Sequence, residues 1–197
     1  IEISTGIGEE WLNFSLNCDF SNLHKFVFVG RYERRKGIEE LRQVLLELER
    51  KSLNLEFHFI GDIPESCRLQ GGQYIYYGKL SNSSKVRLIF QDCDILVCPS
   101  YSEGMPNVIL EGMASGLAII ATDVGAVSAM VSKQNGWLIQ PGNKQQLRQA
   151  IIEATQIPKE DLIVKKESSQ LLVRENFTWN KVAQQTIASI KRIIYKE

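Results

Sequence analysis

The stretch EGMPNVILE, residues 103–111, sets two carboxylates, Glu103 and Glu111, eight positions apart with a glycine, a proline and an asparagine between them. A carboxylate inside an apolar segment is costly unless something pairs with it. A second stretch, GRYERRKG at 30–37, offers cations: Arg31 directly after Gly30, then Arg34, Arg35 and Lys36 before Gly37. A helix opening at Gly37 adds free N–H groups and a partial positive charge. Arg31 and Lys36 beside such a terminus suit a phosphate or diphosphate. Pro106 fits the first position of another helix, where no N–H is needed, and Gly104 lets backbone approach a ligand closely. The amides near Gly104, Met105 and Asn107 form a second anion cradle, to which Pro106 donates none. Glu111 lies one turn beyond Asn107 on the same helical face, so both carboxylates are expected to look into one cleft. Carboxylates accept paired hydrogen bonds from sugar hydroxyls. A sugar attached to a diphosphate would use these cations, amides and acceptors together. The loop is neither a GxxxxGK[ST] phosphate loop nor a GxGxxG fingerprint.

These residues act together only if the chain gathers their loops. Short apolar runs recur: FVFVG (26–30), LEFHFIG (55–61), YIYYG (74–78), DILVCPS (94–100) and AIIAT (118–122), with WLI (137–139) as a weaker sixth. Several are nearly continuous, the pattern of strands covered on both faces. Between them the spacing predicts helices over 37–50, where Ile38, Leu41, Leu45 and Leu48 recur at helical intervals, and over 82–91, 106–115, 143–155 and 179–195. The alternation predicts an α/β chain: a Rossmann-like, doubly wound parallel sheet of about six strands with helices on both faces. Ligands bind beyond the carboxyl ends of such strands, so the loops 30–37, 61–66, 78–84, 99–106 and 122–128 should open on one edge. In the last helix Thr178 reads as the N-cap. Ala183, Ile187, Ile190 and Ile194 form an apolar stripe opposite Lys181, Lys191, Arg192 and Lys196, and the expectation is packing on its own domain. The first twenty residues read as an opening segment or an extra strand.

Composition narrows the function classes. The chain has 197 residues, 44% apolar and 23% charged, with 23 Lys plus Arg against 23 Asp plus Glu. That suits one domain with a single core and gives no general attraction to nucleic acid or anionic lipid. No apolar run reaches the roughly 18–20 residues of a membrane span, and no basic-then-apolar leader opens the chain. Cys18, Cys67, Cys93 and Cys98 form no CxxC pair and read as reduced, packed thiols of a cytosolic protein. His24 and His58 stand alone, so no zinc site is expected. His58, alternating with apolar neighbours, reads as a structural strand residue.

Taken in order, GRYERRKG and then PSYSEGMPNVILEGMASGLAIIAT resemble the donor domain of retaining glycosyltransferases of the GT-B fold, glycosyltransferase family 4. The Glu-x7-Glu motif of that family is matched by Glu103 and Glu111, and its Arg and Lys by Arg31 and Lys36. The resemblance runs from about residue 24 to 190 and includes FTW at 177–179. It implies that Arg31 and Lys36 bind the donor diphosphate and stabilise the leaving nucleoside diphosphate. Glu103 and the backbone at Gly104, Met105, Pro106 and Asn107 would hold the transferred sugar and the phosphate. Glu111 would accept from the ribose hydroxyls, and the base would lie by Gly78, Lys79 and Leu80. Gly30 closes the strand end beside them. The resemblance implies a UDP- or GDP-sugar substrate, no cofactor and no metal. It also implies a cytoplasmic enzyme of cell-surface polysaccharide synthesis, whose full-length form can lie peripherally on the inner membrane face.

A GT-B enzyme has two Rossmann-like domains, and this chain has room for one. Beginning at Ile1 near ISTGI, it is read as the isolated C-terminal nucleotide-sugar domain, 1–197, without the N-terminal domain that holds the glycan or lipid-linked acceptor. Alone it is expected to bind nucleoside diphosphate weakly and to transfer no sugar. The alternatives are a nucleotide-sugar epimerase of the same fold, a non-catalytic nucleotide-sugar-binding module and a glycogen- or starch-type polymerase domain. The motif argues against the first, the intact charged set against the second, and the lack of long insertions against the third.

Overall fold

The computed structural model describes residues 5–12, 16, 23–49, 51 and 53–195. Its strands are β1 (His24–Val29), β2 (Leu55–Ile60), β3 (Tyr74–Gly78), β4 (Ile95–Cys98), β5 (Ala118–Thr122) and β6 (Gly136–Ile139). They form one parallel sheet in the order β3-β2-β1-β4-β5-β6. The helices are α1 (Ile38–Glu49), α2 (Ser83–Asp92), α3 (Asn107–Ala114), α4 (Lys144–Gln156), α5 (Lys159–Asn176) and α6 (Trp179–Tyr195). The Rossmann-like expectation holds, and the weak run WLI is the edge strand β6.

Strand alternation builds two cores. On one face Phe26 and Phe28 of β1 stand beside Phe57 and Phe59 of β2, with Tyr76 of β3 next to Phe59. Ring centroids lie 5.7 Å apart for Phe26–Phe57, 6.2 Å for Phe28–Phe59 and 4.6 Å for Phe59–Tyr76. Such pairs add about 0.5–1.5 kcal/mol each beyond area burial. The 3–4 spacing of Ile38, Leu41, Val44, Leu45 and Leu48 turns one stripe of α1 onto this face, and α4 covers the rest. The other face packs Val27, Leu96 and Ile119 against Phe90 of α2, Ile109, Leu110 and Met113 of α3, and Val173 of α5. Every residue of β4 and β5 is buried, which is why those runs read as continuous.

Helix α5 was absent from the expected elements. Its buried positions are Leu162, Lys166, Ser169, Gln170 and Val173. The spacing is helical, but three of the five are polar, so no hydrophobic period marks it. Lys166 Nζ reaches Asp94 Oδ1 at 3.0 Å, and Gln170 Nε2 donates to the Ala114 carbonyl at 3.3 Å. These polar tethers join the apolar packing of Leu162 and Val173.

The expectation for α6 is corrected. Thr178 caps it, its hydroxyl accepting from the Lys181 N–H at 3.3 Å, and Val182 is buried. Beyond that the stripe is open: Ile187 is 53%, Ile190 41% and Ile194 65% exposed, and Ala183 is exposed too. The stripe is amphipathic as read, but periodicity says which face wants burial and not whether this domain supplies the cover. Lys196 lies outside the described residues. Of the opening segment, Ile7 forms a single parallel bridge with Thr178 and donates its N–H to the Phe177 carbonyl at 2.8 Å. It straps the start of α6 and adds no strand to the sheet.

His58 is 2% exposed, with Nε2 2.8 Å from Glu56 Oε1 and Nδ1 2.8 Å from Tyr77 Oη, a structural strand residue as expected. Cys93 and Cys98 are buried and Cys67 is half-buried, all three free; Cys18 lies outside the described residues. No helix among the described residues is long and apolar enough to cross a membrane.

Candidate functional site

The strand order reverses between β1 and β4. A crevice therefore opens beyond their carboxyl ends, the usual ligand position in such sheets. The loops facing across it are 30–37 and 99–106, and backbone contacts lock them. The Tyr101 N–H donates to the Arg35 carbonyl at 2.7 Å, and Tyr101 Oη donates to Glu40 Oε1 at 2.7 Å. Gly37 has φ 66°, and a Cβ there would lie 2.0 Å from the Pro99 carbonyl oxygen. A third loop joins from β5: the Ala126 N–H donates to the Gly104 carbonyl at 2.8 Å. Gly37→Ala combines left-handed strain with this clash. It is expected to cost about 1–3 kcal/mol of stability, read as a lower urea midpoint at unchanged m-value.

The locked loops bring opposite charges together. Lys36 Nζ lies 2.6 Å from Glu103 Oε1, and Arg35 Nη1 lies 3.4 Å from Glu103 Oε2. Arg35 Nη1 also donates to the Ser102 carbonyl at 3.1 Å. The Glu103 side chain is 9% exposed and that of Lys36 17%. Burial pushes the Glu103 carboxyl up, but hydrogen bonds from Lys36 and Ser100 and the charges of Lys36 and Arg35 outweigh it, leaving the pKa below the ordinary value. Gly30 belongs here as well. A Cβ at Gly30 would lie 2.9 Å from Phe28 Cζ and 3.4 Å from Lys36 Cγ, so the glycine leaves room for the lysine stem.

Arg31 is not gathered. Its side chain is 75% exposed and its Nε pairs with Glu33 Oε1 at 3.0 Å. Arg35 takes the place beside Glu103, a residue that spacing alone could not single out among the basic residues of this loop. Glu111 also departs from expectation. It is half-buried on α3, makes no ion pair with the cations of the first loop, and receives no side-chain hydrogen bond from the described residues. Burial and then the charge of Glu10 push its carboxyl up. Glu103 lies in the loop before the helix, where the α1 loop reaches it. Glu10, whose charge Glu111 feels, accepts at its carbonyl from Arg87 Nη1 of α2 at 2.6 Å.

Pro106 is the N-cap of α3, at φ −72° and ψ 115°, one place earlier than expected, and Asn107 is the first helical residue. The sulfur of Met105 accepts from the Thr5 N–H at 3.2 Å. Gly78 ends β3 at φ 68°, and its carbonyl accepts from the Gly61 N–H at 2.9 Å. Lys79 is exposed. Leu80 is half-buried and packs on the same apolar cluster as Met105 and Val108.

The two carboxylates make opposite pH predictions. Glu103, with its folded pKa lowered, adds stability above its ordinary 4.5 that is lost as pH falls below that value. Glu111, with its folded pKa raised, costs stability as pH rises above 4.5. Urea midpoints across pH 3–7 should lose part of the acid limb in Glu103→Gln and part of the fall above about 4.5 in Glu111→Gln.

Comparison with known proteins adds the family. The model of the family described as Glycosyl transferases group 1 matches residues 24–156, from β1 through α4. A Bacillus subtilis protein named as a teichuronic acid biosynthesis glycosyltransferase, TuaC, is 39% identical over 125 residues, 64% of this chain and 31% of its own length. The Campylobacter jejuni N,N'-diacetylbacillosaminyl-diphospho-undecaprenol alpha-1,3-N-acetylgalactosaminyltransferase is 30% identical over 191 residues, 93% of this chain and 48% of its own. The chain thus spans less than half the length of either relative. Staphylococcus aureus TarM, solved in a complex that includes UDP, superposes with a TM-score of 0.78 over 95% of this chain and 38% of that one, at 16% identity, a likeness of fold. The family match covers both loops that carry Lys36 and Glu103, and on that match the chain belongs to the group 1 glycosyltransferases.

Proposed function

We propose that this chain is the donor-binding half of a retaining, family 4 glycosyltransferase of the GT-B fold. It takes a hexosyl group from a UDP- or GDP-sugar for a glycan or lipid-linked acceptor in cell-surface polysaccharide synthesis. The observation that carries the reading is the cluster of Lys36, Arg35 and Glu103 in the crevice between β1 and β4. Lys36, joined by Arg31 from the rim, binds the diphosphate and stabilises it as it leaves, an electrostatic role needing no metal. Glu103 and the backbone at Gly104, Met105, Pro106 and Asn107 hold the sugar. Glu111, half-buried and not paired with the cations of the first loop, is suited to accept from ribose hydroxyls. Gly78, Lys79 and Leu80 border the base. The open stripe on α6 suits contact with the acceptor half of the enzyme.

Titrating the chain with UDP, GDP, ADP and their sugars tests the reading. A dissociation constant for one nucleoside diphosphate is expected, without sugar transfer by this chain alone. Absence of binding to all of them would remove the donor role. Turnover by the isolated chain would remove the two-half division. With the full-length protein and labelled nucleotide sugar, radioactivity entering acceptor separates transfer from epimerisation.

A further inference from the structure

The cations of the crevice are already engaged by an internal anion. Lys36 gives Glu103 a 2.6 Å contact, while Arg35 stands off at 3.4 Å. We propose that an incoming diphosphate displaces Glu103 from Lys36, and that Arg35 is the positioning residue that keeps hold of the released carboxylate. This rests on the donor-site reading above.

An ammonium behaves as a compact point charge, so its attraction is shared among the anions around it. For Lys36 to serve a phosphate well, its contact with Glu103 must weaken. Glu103 is 9% exposed, and a poorly solvated carboxylate that loses its cation is costly. Arg35 removes that difficulty. Its guanidinium carries five donors in a planar fork. Its Nη1 already touches both Glu103 Oε2 and the Ser102 carbonyl, and its backbone carbonyl is fixed by the Tyr101 N–H at 2.7 Å. Its other carboxylate neighbour, Glu33, is 3.9 Å away and holds it weakly. A closing shift from 3.4 Å to the 2.7–2.9 Å of a charge-assisted bond is what it needs to replace Lys36. The hydrogen bond from Ser100 stays in place. Glu103 then remains ionised at the sugar side while Lys36 turns to the diphosphate.

Calorimetric titration with UDP and GDP tests this in wild type, Glu103→Gln, Arg35→Ala and the double variant. Glu103→Gln removes the competitor and should bind about three- to tenfold tighter, the fold-change of a partly exposed ion pair. Arg35→Ala leaves Glu103 wholly on Lys36 and should weaken binding by a similar factor. In the Glu103→Gln background the same Arg35→Ala change should be within about twofold of neutral, because Arg35 acts through Glu103. Arg35 is 44% exposed, and Arg35→Gln serves as a second variant if alanine impairs folding. A wild-type affinity that is unchanged or weaker in Glu103→Gln overturns the inference alone. So does an equal cost of Arg35→Ala in both backgrounds, which would mean direct phosphate contact. No heat with either nucleotide in wild type and Glu103→Gln alike overturns the donor-site reading and this inference with it.

Discussion

Lys36→Ala is expected to weaken UDP or GDP binding by about 1.5–3 kcal/mol, the range for a hydrogen bond to a charged group. In the full-length enzyme it should lower turnover by about 10²–10³, the usual result of losing one preorganised stabilising donor. The size follows from the position. The Lys36 side chain is 17% exposed and its stem runs past Gly30, so no solvent cation takes its place at equal strength. The variant also leaves Glu103 facing the phosphates with one cation fewer. Lys36→Ala combined with Glu103→Gln should therefore recover part of the lost affinity. Arg31→Ala is expected to cost less, because Arg31 is three-quarters in solvent and paired with Glu33. Calorimetry of the three variants decides the order. A dissociation constant unchanged in Lys36→Ala counts against the phosphate role.

Phe57→Ala is expected to cost about 3–5 kcal/mol of folding stability, the range for emptying a buried aromatic site. Phe57 is fully buried at the middle of β2, stacked 5.7 Å from Phe26 and 4.9 Å from Phe59. It is held in register with Phe26 on one side and Tyr74 on the other. Neighbours fixed in a six-stranded sheet have little freedom to collapse into the void. Urea denaturation should show a large fall in midpoint. Phe57→Leu, which keeps most of the volume, should lose distinctly less. Phe57 lies below the rim, so nucleotide affinity measured well under the new midpoint should stay as in wild type. A change in affinity would mean that the aromatic face is coupled to the loops above it.

Much of the architecture was legible along the chain. Apolar runs ending in Gly, Pro or a polar loop marked the strands, the Ile38–Leu48 spacing marked α1, and parallel strands placed all their exit loops on one edge. Lys36 and Glu103 were legible too, because a lysine at a helix start and a glutamate before a Gly-Met-Pro turn are chemically conspicuous. Burial preference and turn chemistry are local properties, written in successive residues.

What pairs with what is not local, and the tertiary structure alone decided it. The order β3-β2-β1-β4-β5-β6 puts the reversal between β1 and β4, and so chooses which two loops face each other. The Tyr101–Arg35 backbone bond then brings Arg35, rather than Arg31, to Glu103. Helix α5 was hidden because its inner face is held by Lys166 and Gln170, whose partners Asp94 and Ala114 are distant in sequence. The separation of Glu111 from the first-loop cations and the open stripe on α6 have the same origin. A residue's type states what it needs from its surroundings; only the packed chain determines which neighbour, or none, provides it.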